Sequence, residues 1–207
     1  MVQANEALDR LRKGNDRFVS GVRSLDSLLS QAHRSDLAQG QNPFAVVVGC
    51  SDSRVPVEIV FDQGLGDLFV IRVAGNIVAP SQIGSVEFAA DRFGTRLVIV
   101  LGHTGCGAIQ AALEQLQEST QSRSRNLQSI VNRIRPAVES LLDDGIRHDP
   151  EALARKAVRA NVRVAADHLR HGSDILERLV QDEGLLVVGA EYSLETGVVD
   201  FFDGVPG

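Results

Sequence analysis

The sequence predicts an α/β fold in which a mostly parallel β-sheet is flanked by helices. Residues 46–49 and 97–101 are apolar at every position, which is typical of strands that are covered on both faces of a parallel sheet. Helical patterns alternate with strand patterns along the chain, and this alternation favours parallel strands joined by crossover helices. We expect the strand order 2-1-3-4, with a fifth strand added antiparallel at the edge.

The first 40 residues are predicted to form an N-terminal helical arm. Residues 4–19 carry a narrow apolar stripe at helical spacing, and residues 28–37 have the pattern of a second short helix. The arm has too little apolar surface to fold alone, so we expect it to lie on the domain or on another subunit. A turn signal at residues 40–43 then leads into strand one, residues 44–49.

Two further strands follow, each connected by a helix. Strand two is predicted at residues 68–73 and strand three at residues 96–101. Ser81 or Ser85 is expected to cap the helix between them, because serine is favoured at helix N-termini. Another helix is expected to begin near Cys106.

The C-terminal half completes the sheet. Its first elements are a polar connector at residues 118–126, a helix containing Pro136, a long helix opened by Asp149 and Pro150, and a helix capped by Ser173. Strand four is predicted at residues 185–188, with an extension to Tyr192 left open, and strand five at residues 198–202. The tight turn between them predicts an antiparallel hairpin. Since no repeat or linker interrupts these patterns, we expect residues 1–207 to form a single domain.

Composition excludes several classes of protein. The chain has 207 residues and a net charge of −6, which disfavours a nucleic-acid partner. It has no run of 18 apolar residues, as a membrane-spanning helix would require, and residues 1–18 lack the apolar core of a signal peptide. We therefore expect a cytoplasmic protein without a membrane partner. In a reducing compartment, its two cysteines are expected to be metal ligands or free thiols.

Four side chains with metal-binding chemistry follow two of the predicted strands. Cys50 and Asp52 come after strand one, and His103 and Cys106 come after strand three. The predicted order reverses between these two strands, and ligands of such sheets bind at the carboxyl ends of the strands where the order reverses. Two thiolates, an imidazole and a carboxylate are ligands that zinc accepts in a tetrahedral site.

Arg54 makes two states of this site possible. Its guanidinium is able to hold Asp52 in a bidentate pair away from the metal, which leaves one ligand position to water. If Asp52 instead binds zinc, the water is displaced and the site is closed. The backbone N–H groups at the helix start that includes Gly107 are candidates for holding a developing oxyanion.

Residues 50–54 (CSDSR) together with residues 102–107 (GHTGCG) resemble the motifs of the bacterial β-class carbonic anhydrases. The resemblance implies reversible hydration of carbon dioxide to bicarbonate and a proton by a zinc-bound hydroxide. It also implies one Zn²⁺ per chain with Cys50, His103 and Cys106 as constant ligands. Asp52 and Arg54 become the dyad that opens or closes the site.

The same resemblance implies substrate residues and an assembly. Gln41 matches a glutamine that reaches a neighbouring subunit's pocket, and Phe69 and Phe88 match apolar pocket positions that are partly shared between subunits. A homodimer is therefore implied, and a homotetramer made from two dimers is common in the family. Arg72 and Tyr192 match two residues of a non-catalytic bicarbonate pocket found in some bacterial members. Val47 stands where that pocket has a tryptophan, so the match is incomplete.

Two other functions remain compatible with the sequence. Relatives with the same fold and metal hydrolyse carbonyl sulfide or carbon disulfide, and the sequence does not separate these substrates from carbon dioxide. A permanently closed zinc site would instead serve structure or sensing. The presence of Arg54 argues against that role, because a structural site needs no arginine to withdraw a ligand. Buried apolar thiols and a surface ion pair are the ordinary interpretations of such residues, but their combination favours zinc.

Overall fold

The computed structural model describes residues 2–24, 37–118, 124–142 and 149–206. Within these residues, five strands form one sheet in the order β2-β1-β3-β4-β5. Three of the four strand pairings are parallel and the edge pairing β4–β5 is antiparallel, so the predicted order and hairpin are confirmed. The strands are β1 (Ala45–Gly49), β2 (Leu68–Arg72), β3 (Leu97–His103), β4 (Leu186–Tyr192) and β5 (Val199–Asp203).

Helices cover both faces of this sheet, as the alternation of patterns predicts. The predicted caps of the two C-terminal helices are confirmed: Asp149 accepts the N–H of Ala152, and Ser173 accepts the N–H of Leu176. The helices are α1 (Ala4–Val19), α2 (Val57–Val60), α3 (Pro80–Arg92), α4 (Gly107–Glu118), α5 (Arg125–Val138), α6 (Pro150–His171) and α7 (Asp174–Asp182), with short 3₁₀ turns at Ala74–Asn76 and Glu139–Leu142.

Two local predictions are wrong. Helix α3 begins at Pro80 without a side-chain cap, because the fixed φ of proline suits the first helical position; Ser85 instead donates to the carbonyl of Ser81. Strand β3 continues to His103 rather than ending at Leu101, since its last residues pair with the equally long β4. The imidazole therefore projects from a paired strand and not from a loop.

The N-terminal arm packs on its own domain where the structure describes it. Leu8 and Leu11 on α1 are at most 2% exposed and join the apolar cluster beneath the sheet. Asn15, also on α1, donates to the carbonyls of Val60 and Gly197. The second arm helix, predicted for residues 28–37, lies almost wholly outside the described residues.

Close packing of α6 on the sheet brings this long helix against β3 and β4. Gly102 has no side chain where α6 crosses β3, and a Cβ there would lie 2.6 Å from Cγ2 of Val162. The glycine therefore allows the helix to approach the strand. None of the described helices has the length and apolarity needed to cross a bilayer.

Candidate metal centre

Three ligand-type side chains meet at the carboxyl end of the sheet. Cys50 follows β1, His103 is the last residue of β3, and Cys106 directly precedes α4. Their ligand atoms all lie within 4.8 Å of one another, and the three residues are at most 5% exposed. The prediction that neighbouring strands one and three bring these residues together is confirmed.

The imidazole of His103 is oriented as a metal ligand would be. Its Nδ1 lies 2.9 Å from the carbonyl oxygen of Thr104, so we assign the ring proton to Nδ1. The other nitrogen, Nε2, is buried and has no hydrogen-bond partner among the described residues. A buried acceptor without a partner is unfavourable, and a backbone bond on one ring nitrogen that aims the other is typical of metal-binding histidines.

The two cysteines form no disulfide, and their side chains are joined by a hydrogen bond. A hydrogen bond with the Cys106 thiol lowers the pKa of Cys50 in spite of burial, and the same contact together with burial raises the pKa of Cys106. One thiolate thus forms readily while the second proton is retained. A divalent cation would stabilise both thiolates, so the donor set fits a zinc ion.

Main-chain N–H groups support both sulfur atoms. Gly75 donates to Sγ of Cys50 over 3.3 Å. Backbone hydrogen bonds from Ala108 and Ile109 at the start of α4 favour the thiolate of Cys106 by lowering its pKa, against the larger effects named above. Cysteine thus occupies the position before a helix, where its sulfur meets the N–H groups of the first turn.

Asp52 and Arg54 form a bidentate pair at the edge of the three ligands. Arg54 Nε lies 2.9 Å from Oδ1 of Asp52, and Nη2 lies 2.7 Å from Oδ2. These hydrogen bonds hold the pKa of Asp52 well below its usual range. Oδ2 is also 3.9 Å from Nε2 of His103. Asp52 is therefore next to the three ligands but engaged by Arg54, and its role as a fourth ligand stays a prediction.

Arg72 has contacts that sequence reasoning missed. It donates to the carbonyl oxygens of Cys50 (3.0 Å) and Asp52 (2.6 Å), and so holds the main chain on both sides of Ser51. Tyr192 is 6% exposed and lies in the same apolar cluster as Val47. Main-chain carbonyls are not visible in a residue pattern, so no sequence signal identified this contact. The non-catalytic bicarbonate pocket on Arg72 and Tyr192 stays a prediction.

The candidate substrate residues lie in different parts of the domain. Gly107 is exposed at the first turn of α4, next to Cys106, with open space around its Cα. Phe69 and Phe88 instead contact each other, with ring centroids 6.2 Å apart, and Phe88 is 52% exposed. Gln41 is exposed before β1. The structure thus brings Gly107 to the metal ligands and places the two phenylalanines in a separate aromatic cluster.

A cleft of about 500 Å³ adjoins the outer side of the dyad. Its walls include Arg54 and Thr104 from the ligand loops, Glu151 and Arg155 from α6, and Glu195 from the β4–β5 turn. Sequence reasoning did not identify the last three residues, because elements far apart in the chain bring them together and no motif links them.

Comparison with known proteins identifies the family. The family model described as carbonic anhydrase matches residues 45–199, a span that includes all three ligand-type residues. The chain belongs to the β-class carbonic anhydrase family. Carbonic anhydrase 2 of Mycobacterium tuberculosis (strain H37Rv) is 39% identical over 187 residues, covering 90% of this chain and 87% of that protein. Carbonic anhydrase of Mycolicibacterium smegmatis is 37% identical over 190 residues, covering 92% and 89%.

Solved structures of the class share the fold. The β-carbonic anhydrase CcaA superposes with a TM-score of 0.75 at 27% identity, covering 96% of this chain and 92% of that one. CafA of Aspergillus fumigatus, also a β-carbonic anhydrase, gives a TM-score of 0.75 at 26% identity, covering 86% of each chain. The chain is thus an enzyme of the carbonic anhydrase family, as the residue motifs predict.

Proposed function

We propose that this enzyme catalyses the zinc-dependent, reversible hydration of carbon dioxide to bicarbonate and a proton. The observation that carries the proposal is the buried group of Cys50, His103 and Cys106 with the Asp52–Arg54 pair at its edge. Membership of the carbonic anhydrase family supports the same activity. We further propose that the enzyme works in the cytoplasm as a single domain.

Cys50, His103 and Cys106 would hold one zinc ion per chain. Three protein ligands leave one position of a tetrahedral site open, as catalytic zinc sites require. When bound, zinc would supply a water whose pKa is lowered to about 7, so that hydroxide is available at neutral pH. The Gly75 N–H and the first turn of α4 hold the two sulfur atoms in place for this role.

Asp52 would act as the acceptor that orients the attacking water. Arg54 engages both carboxylate oxygens, yet Oδ2 still lies 3.9 Å from Nε2 of His103. An ionised carboxylate only accepts hydrogen bonds, so Oδ2 would accept a hydrogen bond from the water and aim its lone pair at carbon dioxide. Release of Asp52 from Arg54 would let the carboxylate take the fourth ligand position and close the site.

The substrate pocket is proposed to form between two subunits. Phe69 pairs with Val46 in the sheet, and Val46 is four residues before Cys50, which is about 13 Å along a strand. This separation supports the proposal that Phe69, Phe88 and Gln41 serve the pocket of a neighbouring chain in a homodimer, or in a tetramer of two dimers. Exposed N–H groups at Gly107 would hold the developing oxyanion within each chain.

Stopped-flow hydration of carbon dioxide across a pH series, with the zinc content measured on the same samples, tests this proposal. We expect one zinc per chain and a rate that rises with pH as the attacking water ionises. Protein stripped with a chelator and then reloaded with zinc serves as the control. One zinc per chain with no hydration at any pH would contradict the proposal. Turnover of carbonyl sulfide and carbon disulfide would then test the hydrolase alternative.

A further inference from the structure

We infer that Asn161 is a positioning residue for the ligand Cys50, and that it acts through the main chain of Gly75. This inference rests on the proposed metal site. Asn161 lies on α6, far from both ligand motifs in the sequence, and its side-chain amide donates to the main chain of Gly75. Three links connect Asn161 with the sulfur of Cys50. They are the hydrogen bond from Asn161 to the carbonyl of Gly75, the turn at Gly75, and the hydrogen bond from the Gly75 N–H to the sulfur.

The first link is a buried hydrogen bond. Asn161 is 2% exposed, and its Nδ2 donates to the carbonyl oxygen of Gly75 over 2.8 Å. A buried amide in a helix interior is costly unless it is satisfied, so this bond has a structural reason to persist. The neighbouring Val158 and Val162 pack against Gly102 of the sheet, which holds the backbone of α6, and with it Asn161, in place.

The second link is the short turn at Ala74–Asn76, which one backbone hydrogen bond closes, from the N–H of Asn76 to the carbonyl of Val73 over 3.0 Å. Gly75 has φ +72°, and Asn76 follows with φ +42°, so two consecutive residues adopt the left-handed region, which non-glycine residues rarely occupy. A Cβ on Gly75 would lie 3.0 Å from side-chain atoms of Ala108 and Ile134. A larger residue at position 75 would therefore be crowded, and the bond from Asn161 adds a second restraint on this turn, at the carbonyl of Gly75.

The third link connects the turn to the metal ligand. The Gly75 N–H donates to Sγ of Cys50 over 3.3 Å. The carbonyl that Asn161 holds belongs to the same residue, so restraining it limits rotation about φ and ψ of Gly75. The N–H thereby stays aimed at the sulfur. Partners of this kind, one contact removed from a metal, orient the ligand and tune the electron density that it donates.

Asn161→Leu tests the inference, because leucine keeps the branch at Cγ and has no hydrogen-bond donor. Zinc affinity would be measured by competition with a chromophoric chelator, and the thiolate-to-metal charge-transfer band would be recorded on the Co(II)-substituted enzyme. We expect zinc affinity to fall by about 10- to 100-fold and the band to shift. A loss of general stability alone would not move the band.

Asn15→Leu is the matched control. Asn15 is a buried asparagine on α1 that also donates to main-chain carbonyls, but these belong to Val60 and Gly197. We expect it to lower thermal stability while leaving zinc affinity and the Co(II) band unchanged. Equal affinity and an identical band in Asn161→Leu and the unsubstituted chain would overturn the inference while the proposed function stands. Failure of the unsubstituted chain to bind zinc would instead overturn the proposed function.

A measurement on the unsubstituted chain covers the case in which Asn161→Leu does not fold. With an NMR-active cadmium isotope as the metal, an N–H···S bond to a ligand sulfur transmits scalar coupling between the amide proton and the metal. We expect this coupling at Gly75, together with slow hydrogen exchange of the Asn161 side-chain amide. A Gly75 amide without coupling to the bound cadmium contradicts the inference.

Discussion

Arg54 donates hydrogen bonds to Asp52 from both its main chain and its side chain. Its backbone N–H lies 3.0 Å from Oδ1, while its guanidinium reaches Oδ1 and Oδ2 over 2.9 Å and 2.7 Å. A further hydrogen bond joins Nη2 to the carbonyl of Gly105, on the loop that precedes the second cysteine ligand. One arginine thus connects the two loops of the metal centre, and it orients a carboxylate that is only two residues from Cys50.

Arg54→Ala is expected to retain zinc and lose most of the activity. Without the guanidinium, only the backbone N–H of residue 54 still holds Oδ1 of Asp52, so the carboxylate is released to occupy the open position. We expect hydration to fall roughly a hundredfold, the scale on which misplacement of a reacting group affects the rate. Stopped-flow assays with zinc analysis check this, and Arg54→Lys should be nearly as impaired because an ammonium cannot form the bidentate pair.

The control for this variant is Arg133→Ala, which removes an exposed arginine from α5. It should leave both zinc content and rate unchanged. If Arg54→Ala kept full activity, the Asp52–Arg54 dyad would have no part in the mechanism.

Cys106→Ser is expected to abolish tight zinc binding. A serine hydroxyl is a poor zinc ligand at neutral pH, and Cys106 is one of only three side chains in the described ligand group. Zinc per chain after dialysis against a mild chelator is the measurement. Ser53→Ala, an exposed serine beside the dyad, should keep its zinc. Equal zinc contents in the two variants would contradict the assignment of Cys106 as a ligand.

The titration of Asp52 gives a prediction with a defined sign. The hydrogen bond from Arg54 holds the pKa of Asp52 well below its usual range, so its contribution to stability is present above the usual value, about 3.9. It is lost only as the pH falls through the lower folded-state pKa. Asp52 therefore stays ionised across the working pH range, and changes in rate there arise from other groups.

NMR titration of the Asp52 carboxyl carbon in the metal-free chain measures this directly. We expect a midpoint below that of an ordinary aspartate, and a higher midpoint in Arg54→Ala. Identical midpoints in the two proteins would show that the ion pair does not form in solution.

Asp62 is expected to fasten the end of α1 to the domain. Its side chain is fully buried and accepts hydrogen bonds from Arg17 (2.6 Å) and Arg23 (3.1 Å). Asp62→Asn keeps the size and tolerates the local φ of +46°, but weakens these charged bonds. We expect the free energy of unfolding to fall by about 1–3 kcal/mol, measured by denaturant titration.

Asp9→Asn is the matched control for Asp62, since Asp9 forms an exposed ion pair with Arg12 on the same helix. Exposed pairs contribute about 0–1 kcal/mol, so this variant should unfold nearly like the unsubstituted chain. Equal losses in both variants would mean that burial of Asp62 adds nothing to the attachment of α1.

The fold was largely predictable because its signals are local. Apolar runs such as residues 46–49 and 97–101 indicate strands that are buried on both faces, and the tight turn after Tyr192 predicts the hairpin. The predicted end of strand three and start of α3 were wrong, because neighbouring residues or strands decide where these elements end and begin. Pairing with β4 extends β3 to His103, and Pro80 starts α3 ahead of both predicted serine caps.

The sequence by itself determined the ligand types and their neighbourhood, because Cys50, His103 and Cys106 lie at or just after the carboxyl ends of two strands that the pattern predicts to be neighbours. Only the tertiary structure decided what surrounds these ligands. Arg72 reaches the carbonyls of Cys50 and Asp52, and Asn161 reaches that of Gly75. Every residue has a main-chain carbonyl, so a sequence pattern does not indicate which carbonyl accepts a hydrogen bond. Contacts between distant segments form only when the helices pack on the sheet, and no motif predicts them.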